Sequence, residues 1–366
     1  MKTDTGKTES SATACPLHQP LGSSGQSDLT SLTLNARQFL PRGVRRQLRH
    51  VQIFGQCAAN FFYDLRRFFR HASLYTGGES VERLRAVITM NYHRIEKGLS
   101  LSEPRPGFGA GVVQNLIGSL LQASQCAELA ETRAIALNVL DRYAAYSRQH
   151  GLDNPALHQQ LLTLRAQLPA PSPDVGGGLR EISRHQIHQA AMLDLRDFFD
   201  KRFSVRQFAL GEVGLPTIEN AVRMAQKSPS VCNRQAWRVH VFSRDEDKRR
   251  VLALQNGNRG FGEQLDKVLL VTADLTQFVS VGERNQGWID GGMFAMSLVY
   301  ALHSLGLGTC CLNCSNEKST DQALRHAAHL GTAEAVIMMI GVGFLPEKLQ
   351  VAQSPRRPLT NVLVAH

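Results

Sequence analysis

The run WIDGGMFAMSLVYALHSLGLGTCCLNCSN, residues 288–316, carries one formal charge, Asp290, in a long apolar stretch that ends in glycines. Its spacing predicts a helix over 289–305, buried on most sides, in a core or against a partner subunit. Asp290 suits an N-cap there, and Leu305-Gly306-Leu307-Gly308 suits a turn after it. Outward from this run lie three short apolar segments, WRVHVFS (237–243), KVLLVTAD (267–274) and AVIMMIGVG (335–343). They read as strands, and helical patterns at 217–227, 245–255 and 317–330 separate them. Strands and helices alternating in this way predict an α/β or α+β sheet domain. No internal repeat is evident.

The N-terminal half reads differently. Residues 36–70 interleave Arg37, Arg42, Arg45, Arg46, Arg49, Arg66, Arg67 and Arg70 with Phe39, Phe54, Phe61, Phe62, Tyr63, Phe68 and Phe69. One or two amphipathic helices with a basic face are expected, packed on the protein or lying on anionic lipid or a docking surface. A helix follows at 79–98, started near Glu79 and Ser80 and stopped by Gly98. His93 and Glu96 share one face of it, as a surface pair or an acid–base pair. Further helices are expected at 112–127, 129–149 and 155–168, then PAPSPDVGGG (169–178) breaks the composition and marks a domain boundary. Residues 185–201 read as a helix leading into the second half. The resulting organisation is a disordered tail at 1–30, a helical region at 31–168, a linker at 169–184 and a sheet domain at 185–366.

Composition narrows the possibilities. The chain has 366 residues, 43% hydrophobic and 20% charged, which is ordinary for a globular protein. The first thirty residues lack an apolar h-region, and no segment has the apolar length of a membrane span. Seven cysteines make no disulfide framework, and a reducing, cytoplasmic setting is expected. The net charge of +10 favours anionic partners such as nucleotide phosphates, polyanions or a membrane surface. Nucleic acid is not expected, because the arginines come without a helix-turn-helix, RRM or zinc module.

Two further segments carry candidate chemistry. In KRFSVRQF (201–208), Arg202, Ser204 and Arg206 alternate, so an extended chain turns them to one face, an arrangement suited to a phosphate. In SPSVCNRQAW (228–237), Ser228, Ser230, Asn233 and Gln235 offer donors and acceptors to a heterocycle or a ribityl chain, or else bond their own turn. SPRRPL (354–359) adds Arg356 and Arg357. Cys311-Leu312-Asn313-Cys314 is formally a Cys-x-x-Cys, but no second such pair and no thioredoxin-like context accompany it. It reads as turn residues, and no metal site is expected.

In this order and at these separations the segments resemble the nitroreductase family over residues 195–364. The resemblance rests on Arg202, Ser204, Arg206 and Phe208, and on Pro229, Ser230, Asn233, Gln235 and Trp237 with Ala236 in place of a second proline. The Asp290 helix with its Gly-Leu-Gly turn and the late Arg-Arg-Pro complete it. It implies an α+β fold, a mixed sheet flanked by helices, working as an intertwined homodimer with FMN at the subunit interface. Arg202, Ser204, Arg206 and Arg356, or Arg357 instead of Arg356, would then hold the phosphate and ribityl chain. Pro229, Ser230 and Asn233 would reach the flavin from the partner, Gln235 would brace the loop, and backbone amides near Asn313 and Cys314 would face flavin N5. The implied chemistry takes hydride from NADH or NADPH and passes electrons to a small-molecule acceptor, with no catalytic side chain assigned. A specialised flavin dehydrogenase, for example in polysaccharide production, and a non-enzymatic nucleotide-binding scaffold are the alternatives.

Overall fold

The computed structural model describes residues 41–74, 80–167 and 175–366. The expected tail 1–30, Arg37, Phe39, Glu79 and positions 169–174 of the linker lie outside them. The chain divides into two units, one ending at Ala59 and one running from Asn60 to His366. Helix α1, Arg42–His71, contributes to both. In the first unit its residues 42–59 are all exposed.

Within the second unit, the end of α1 is pinned by polar contacts. Asn60 accepts from the Lys318 amide at 2.7 Å, and the Tyr63 hydroxyl donates to Asp321 at 2.7 Å. Arg67 donates to the Glu334 carbonyl, and Phe68 is buried. Burial and the Asp321 hydrogen bond push the Tyr63 hydroxyl up to about 12.

A helical core follows, built from α2 (Val81–Leu99), α3 (Ala110–Gln122), α4 (Ala130–Gln149) and α5 (Pro155–Gln167). Ile88, Tyr92, Ile95 and Leu99 recur at helical spacing on α2 and meet Leu116, Leu120, Leu137 and Leu140. Ser80 caps α2, as its sequence position suggests. Gly98 is no stop signal; it lies in the last turn of α2. A Cβ there would sit 2.0 Å from the Phe108 ring, so close packing requires the glycine. Arg133 is buried because its guanidinium donates to the Ala123 carbonyl at 2.6 Å and to Cys126, satisfying carbonyls at the end of α3. His93 and Glu96 pair at 3.1 Å, and Glu96 also accepts from the Gly178 amide at 2.9 Å. Asn138 holds the carbonyls of Val175 and Gly176.

The expected single helix at 185–201 is two short ones, α6 (Arg184–Ala190) and α7 (Leu195–Asp200). Asp194 restarts the chain by capping the Asp197 amide at 3.0 Å. Beyond them stand α8 (Leu215–Ala225), β1 (Trp237–Phe242), α9 (Asp245–Leu252), β2 (Lys267–Asp274) and α10 (Gln286–Ser304). The series ends with β3 (Leu307–Asn313), α11 (Lys318–Ala327) and β4 (Glu334–Phe344). The strands form one antiparallel sheet in the order β1-β2-β4-β3, and a parallel bridge from Ser204 to Thr309 makes its pairing mixed. Every residue of β2 is buried, because both faces are covered. Leu269 and Val271 meet α8 and α10, with Trp237 stacked on Phe294 at 4.8 Å. Val268 and Leu270 meet α9 and α11. The fold is thus α+β, with a helical region preceding a helix-flanked sheet.

Strand β3 occupies residues from the expected Gly-Leu-Gly turn and cysteine cluster. Its burial alternates at its far end, with Cys310 and Leu312 in the α9 and α11 layer.

One buried carboxylate ties three strands together. Glu334 accepts from His240 at 2.7 Å and from the Thr272 hydroxyl at 2.6 Å, and Arg238 lies 3.6 Å away. Burial works to raise its carboxyl, but the His240 and Thr272 hydrogen bonds outweigh that and hold it at about 2. A depressed carboxyl contributes stability in full above its ordinary pKa of 4.5, and loses it as pH falls from there through about 2. Glu334→Gln should therefore cost about 1.5–3 kcal/mol at neutral pH. It should also flatten the loss of stability below pH 4.5, read by urea unfolding across that range.

Candidate functional site

The segment bearing Arg202, Ser204 and Arg206 lies extended along β3. The Val205 amide donates to the Thr309 carbonyl at 2.8 Å, and the Ala209 amide to the Phe344 carbonyl at 2.9 Å. Val205 turns inward and is buried, while Arg206 is exposed and Arg202 and Ser204 are half-buried. Phe208 fixes the register. Its ring fills the space above Gly308 and Gly343, which pair across β3 and β4, and a Cβ on Gly343 would meet it at 2.8 Å. The Arg202 charge acts on the Cys311 thiol and the Arg206 charge on Cys310, so both cations flank the middle of β3. Among the described residues, neither arginine forms an ion pair with a carboxylate. Arg206 donates only weakly to the Ser204 carbonyl, at 3.4 Å.

The second cluster precedes β1 and is conformationally unusual. Cys232, Asn233 and Gln235 have φ of 49°, 53° and 48°, a left-handed conformation that is uncommon without glycine. Ser230 accepts from the Gln235 amide at 3.0 Å, and the Gln235 side chain donates to the Asn233 carbonyl at 3.3 Å, so both brace the loop. Pro229 is exposed. Ser228 turns inward, donating to the Ala225 carbonyl at 2.8 Å and meeting the Ser297 hydroxyl at 2.6 Å. Asn233 and Gln235 line a cleft of about 620 Å³, with Arg85, Thr89 and Tyr92 of α2 on its opposite side.

Asp290 is not the N-cap of its helix, since α10 begins four residues earlier at Gln286. Its 1%-exposed carboxylate instead accepts from the Val231 amide at 3.1 Å and from Gln286 at 2.7 Å, tying the strained loop to α10. Arg234 was not singled out by its sequence, yet it holds the same loop. Its guanidinium pairs with Glu283, donates to the Val231 carbonyl at 3.1 Å and lies over the Phe278 ring. No local signal marks it, since its neighbours Asn233 and Gln235 are polar.

The remaining candidates are more dispersed. Asn313 is exposed at the end of β3, and its carbonyl accepts from Gln255 at 3.0 Å. Cys314 packs against the α9 and α11 layer, where burial pushes its thiol up to about 11. Cys311 alternates with Cys310 and is exposed on the other side of β3, away from the layer that holds Cys314. The C-terminal segment reaches the first cluster through the Gln350 amide, which donates to Gln207 at 2.9 Å. Arg356 and Arg357 are exposed six and seven residues later, and Arg356 donates to the Ser354 carbonyl at 2.6 Å.

Removing the buried cation under the loop should be costly. Arg234→Ala leaves Glu283 without its cation, and a loss of about 3–5 kcal/mol is expected in urea unfolding. The exposed Arg223→Ala on α8 should stay within about 0.5 kcal/mol of the parent.

No curated protein matches the chain. Among solved structures it is similar to a putative NADH dehydrogenase/NAD(P)H nitroreductase from Bacteroides thetaiotaomicron, at 20% identity and a TM-score of 0.39, over 44% of this chain and 92% of that one. An FMN-dependent nitroreductase from Clostridium difficile is 22% identical with a TM-score of 0.37, over 43% and 91%. A nitroreductase family protein from Streptococcus pneumoniae is 18% identical with a TM-score of 0.40, over 47% and 100%. Residues 200–344 match the model of the nitroreductase family, and this part of the chain is a nitroreductase-family domain.

Proposed function

We propose that the protein is an FMN-dependent oxidoreductase that takes reducing equivalents from NADH or NADPH and passes them to a small-molecule acceptor. The observation that carries this reading is the pair of cations along β3, Arg202 and Arg206, without carboxylate partners among the described residues. A flavin phosphate, with nearly two negative charges and three acceptor oxygens, fits such a pair. Ser204 between them adds a hydroxyl, and Arg356 or Arg357 would complete the set from the C-terminal segment.

Bound FMN would supply the redox chemistry by taking up and giving up hydride at N5. The chain's own residues position and polarise. Arg202 and Arg206 hold the phosphate end, while the backbone near Asn313 and Cys314 would donate toward the ring edge where negative charge develops. The elevated pKa of Cys314 keeps that thiol protonated at neutral pH, so it is not a nucleophile there.

We also propose a homodimer, because within one chain the two clusters stand at opposite edges of the sheet. The loop with Ser230 and Asn233 enters β1, at one edge of the sheet, and Arg202 and Arg206 flank β3, at the other. Three inter-strand steps separate those edges, roughly 14 Å. A second chain brings the clusters together. The nearly uncharged α10 supports this, since Trp288, Ile289 and Met293 remain exposed on it.

Two experiments test the reading. The purified protein should show oxidised-flavin absorbance, and Arg202→Ala or Arg206→Ala should each weaken FMN binding about tenfold to a hundredfold in fluorescence titration. A colourless protein that FMN cannot reconstitute overturns the assignment. For the dimer, the chain with Arg202→Ala and Arg206→Ala and the chain with Ser230→Ala and Asn233→Ala should each be inactive with NADH or NADPH. Co-refolded, they should regain about a quarter of parental activity, because half the dimers are mixed and each mixed dimer has one intact site. No recovery would place both clusters in one chain's site.

A further inference from the structure

We propose that residues 42–59 of helix α1 form a peripheral membrane anchor that lies on anionic lipid. Over these eighteen residues, Val44, Leu48, Val51, Phe54 and Ala58 recur at three- and four-residue intervals, so they share one face of the helix. The opposite side carries Arg42, Arg45, Arg46 and Arg49, with Ile53 as its one large apolar residue. The segment contains no acidic residue, so its formal charge is +4 before His50 is counted.

Every one of these residues is exposed, including Val51 at 70% and Phe54 at 75%. An exposed helix with a sustained apolar face has no solvent that suits both of its sides. A lipid headgroup region does: the apolar face enters the acyl boundary, and arginines reach back to phosphates at the same depth. No helix among the described residues is long and apolar enough to cross a membrane, and eighteen residues, about 27 Å long, would lie in the interface plane.

Charge decides against other occupants. A nucleic acid would neutralise the arginines but leave Val51 and Phe54 in water. A second copy of this segment would cover the apolar face but leave the four arginines on each outer side with no anion to meet. Anionic lipid satisfies both faces at once. The inference is independent of the flavin, so it stands or falls without the oxidoreductase reading.

Vesicle co-sedimentation of the full chain tests it. The protein should pellet with vesicles of phosphatidylcholine and phosphatidylserine at 7:3, and remain in the supernatant with phosphatidylcholine alone or with no vesicles. Arg45→Gln, Arg46→Gln and Arg49→Gln together should lower the partition coefficient on the order of a hundredfold, at about fivefold per arginine. Val51→Ser with Phe54→Ser should lower it at least tenfold with the charges intact, and circular dichroism should show both variants folded. Equal pelleting with both lipid mixtures, or unchanged partition in either folded variant, overturns the anchor. Loss of self-association in the Val51→Ser, Phe54→Ser variant, seen by light scattering without any vesicle binding by the parent, would assign the face to a second copy instead.

Discussion

The placement of Arg202, Ser204 and Arg206 depends on a contact with no polar atoms in it. Gly308 and Gly343 stand opposite each other on β3 and β4, and the Phe208 ring occupies the room their missing side chains leave. That contact locks an extended segment to the sheet edge through the Val205 and Ala209 hydrogen bonds. Because side chains alternate along extended backbone, burying Val205 at this register turns its neighbours Ser204 and Arg206 the other way. A one-residue slip would bury a guanidinium and expose a valine, at a cost of several kcal/mol for the unpaired charge. Apolar packing thus determines where the cations point.

The second cluster is held by opposite means. Left-handed backbone at Cys232, Asn233 and Gln235 costs on the order of 1–3 kcal/mol per residue and persists only when its surroundings enforce it. Two buried charges supply that enforcement. Asp290 takes the Val231 amide from one side, and Arg234, paired with Glu283, takes the Val231 carbonyl. Both polar groups of Val231 are therefore bonded to buried ions, and its carbonyl also accepts the Arg234 amide in a short turn. Such a loop can present Ser230 and Asn233 in one fixed orientation, which a binding surface requires.

The sequence reveals much of this and hides a consistent remainder. Alternating and continuous apolar runs expose β1, β2 and β4, because burial on one or two faces writes directly into composition. Strand β3 is masked by its glycine and cysteines: Gly308 makes room for Leu345, Val205 and Phe208, a demand from outside the strand that no local propensity reports. Gly98 deceives in the same way, serving the Phe108 ring where its position suggests a helix stop. Asp290 looks like a cap because caps are local, whereas its partners at Val231 and Gln286 straddle a loop fifty-nine residues upstream and the preceding turn of its own helix. The alternation of Arg202, Ser204 and Arg206 was visible, but the absence of carboxylate partners among the described residues needed three dimensions.

The helical region gains a role from where α2 runs. Strand β1 is an edge strand, and an uncovered edge invites pairing with another chain. Helix α2 approaches the turns at Val231–Asn233 and Leu275–Gln277, which lie at the entrance to β1 and the exit from β2. The same turn is tied to α10 through Asp290, so the strained loop is gripped between a helix that flanks the sheet and a helix of the preceding helical core. The cleft beside it is walled by both, with Arg85 and Tyr92 facing Arg238 and Val239. A domain with only the sheet and its flanking helices would leave this side of the loop to solvent. The added helices thus convert a loop supported on one side into one supported on two, and any ligand that reaches Asn233 through the cleft must pass their side chains.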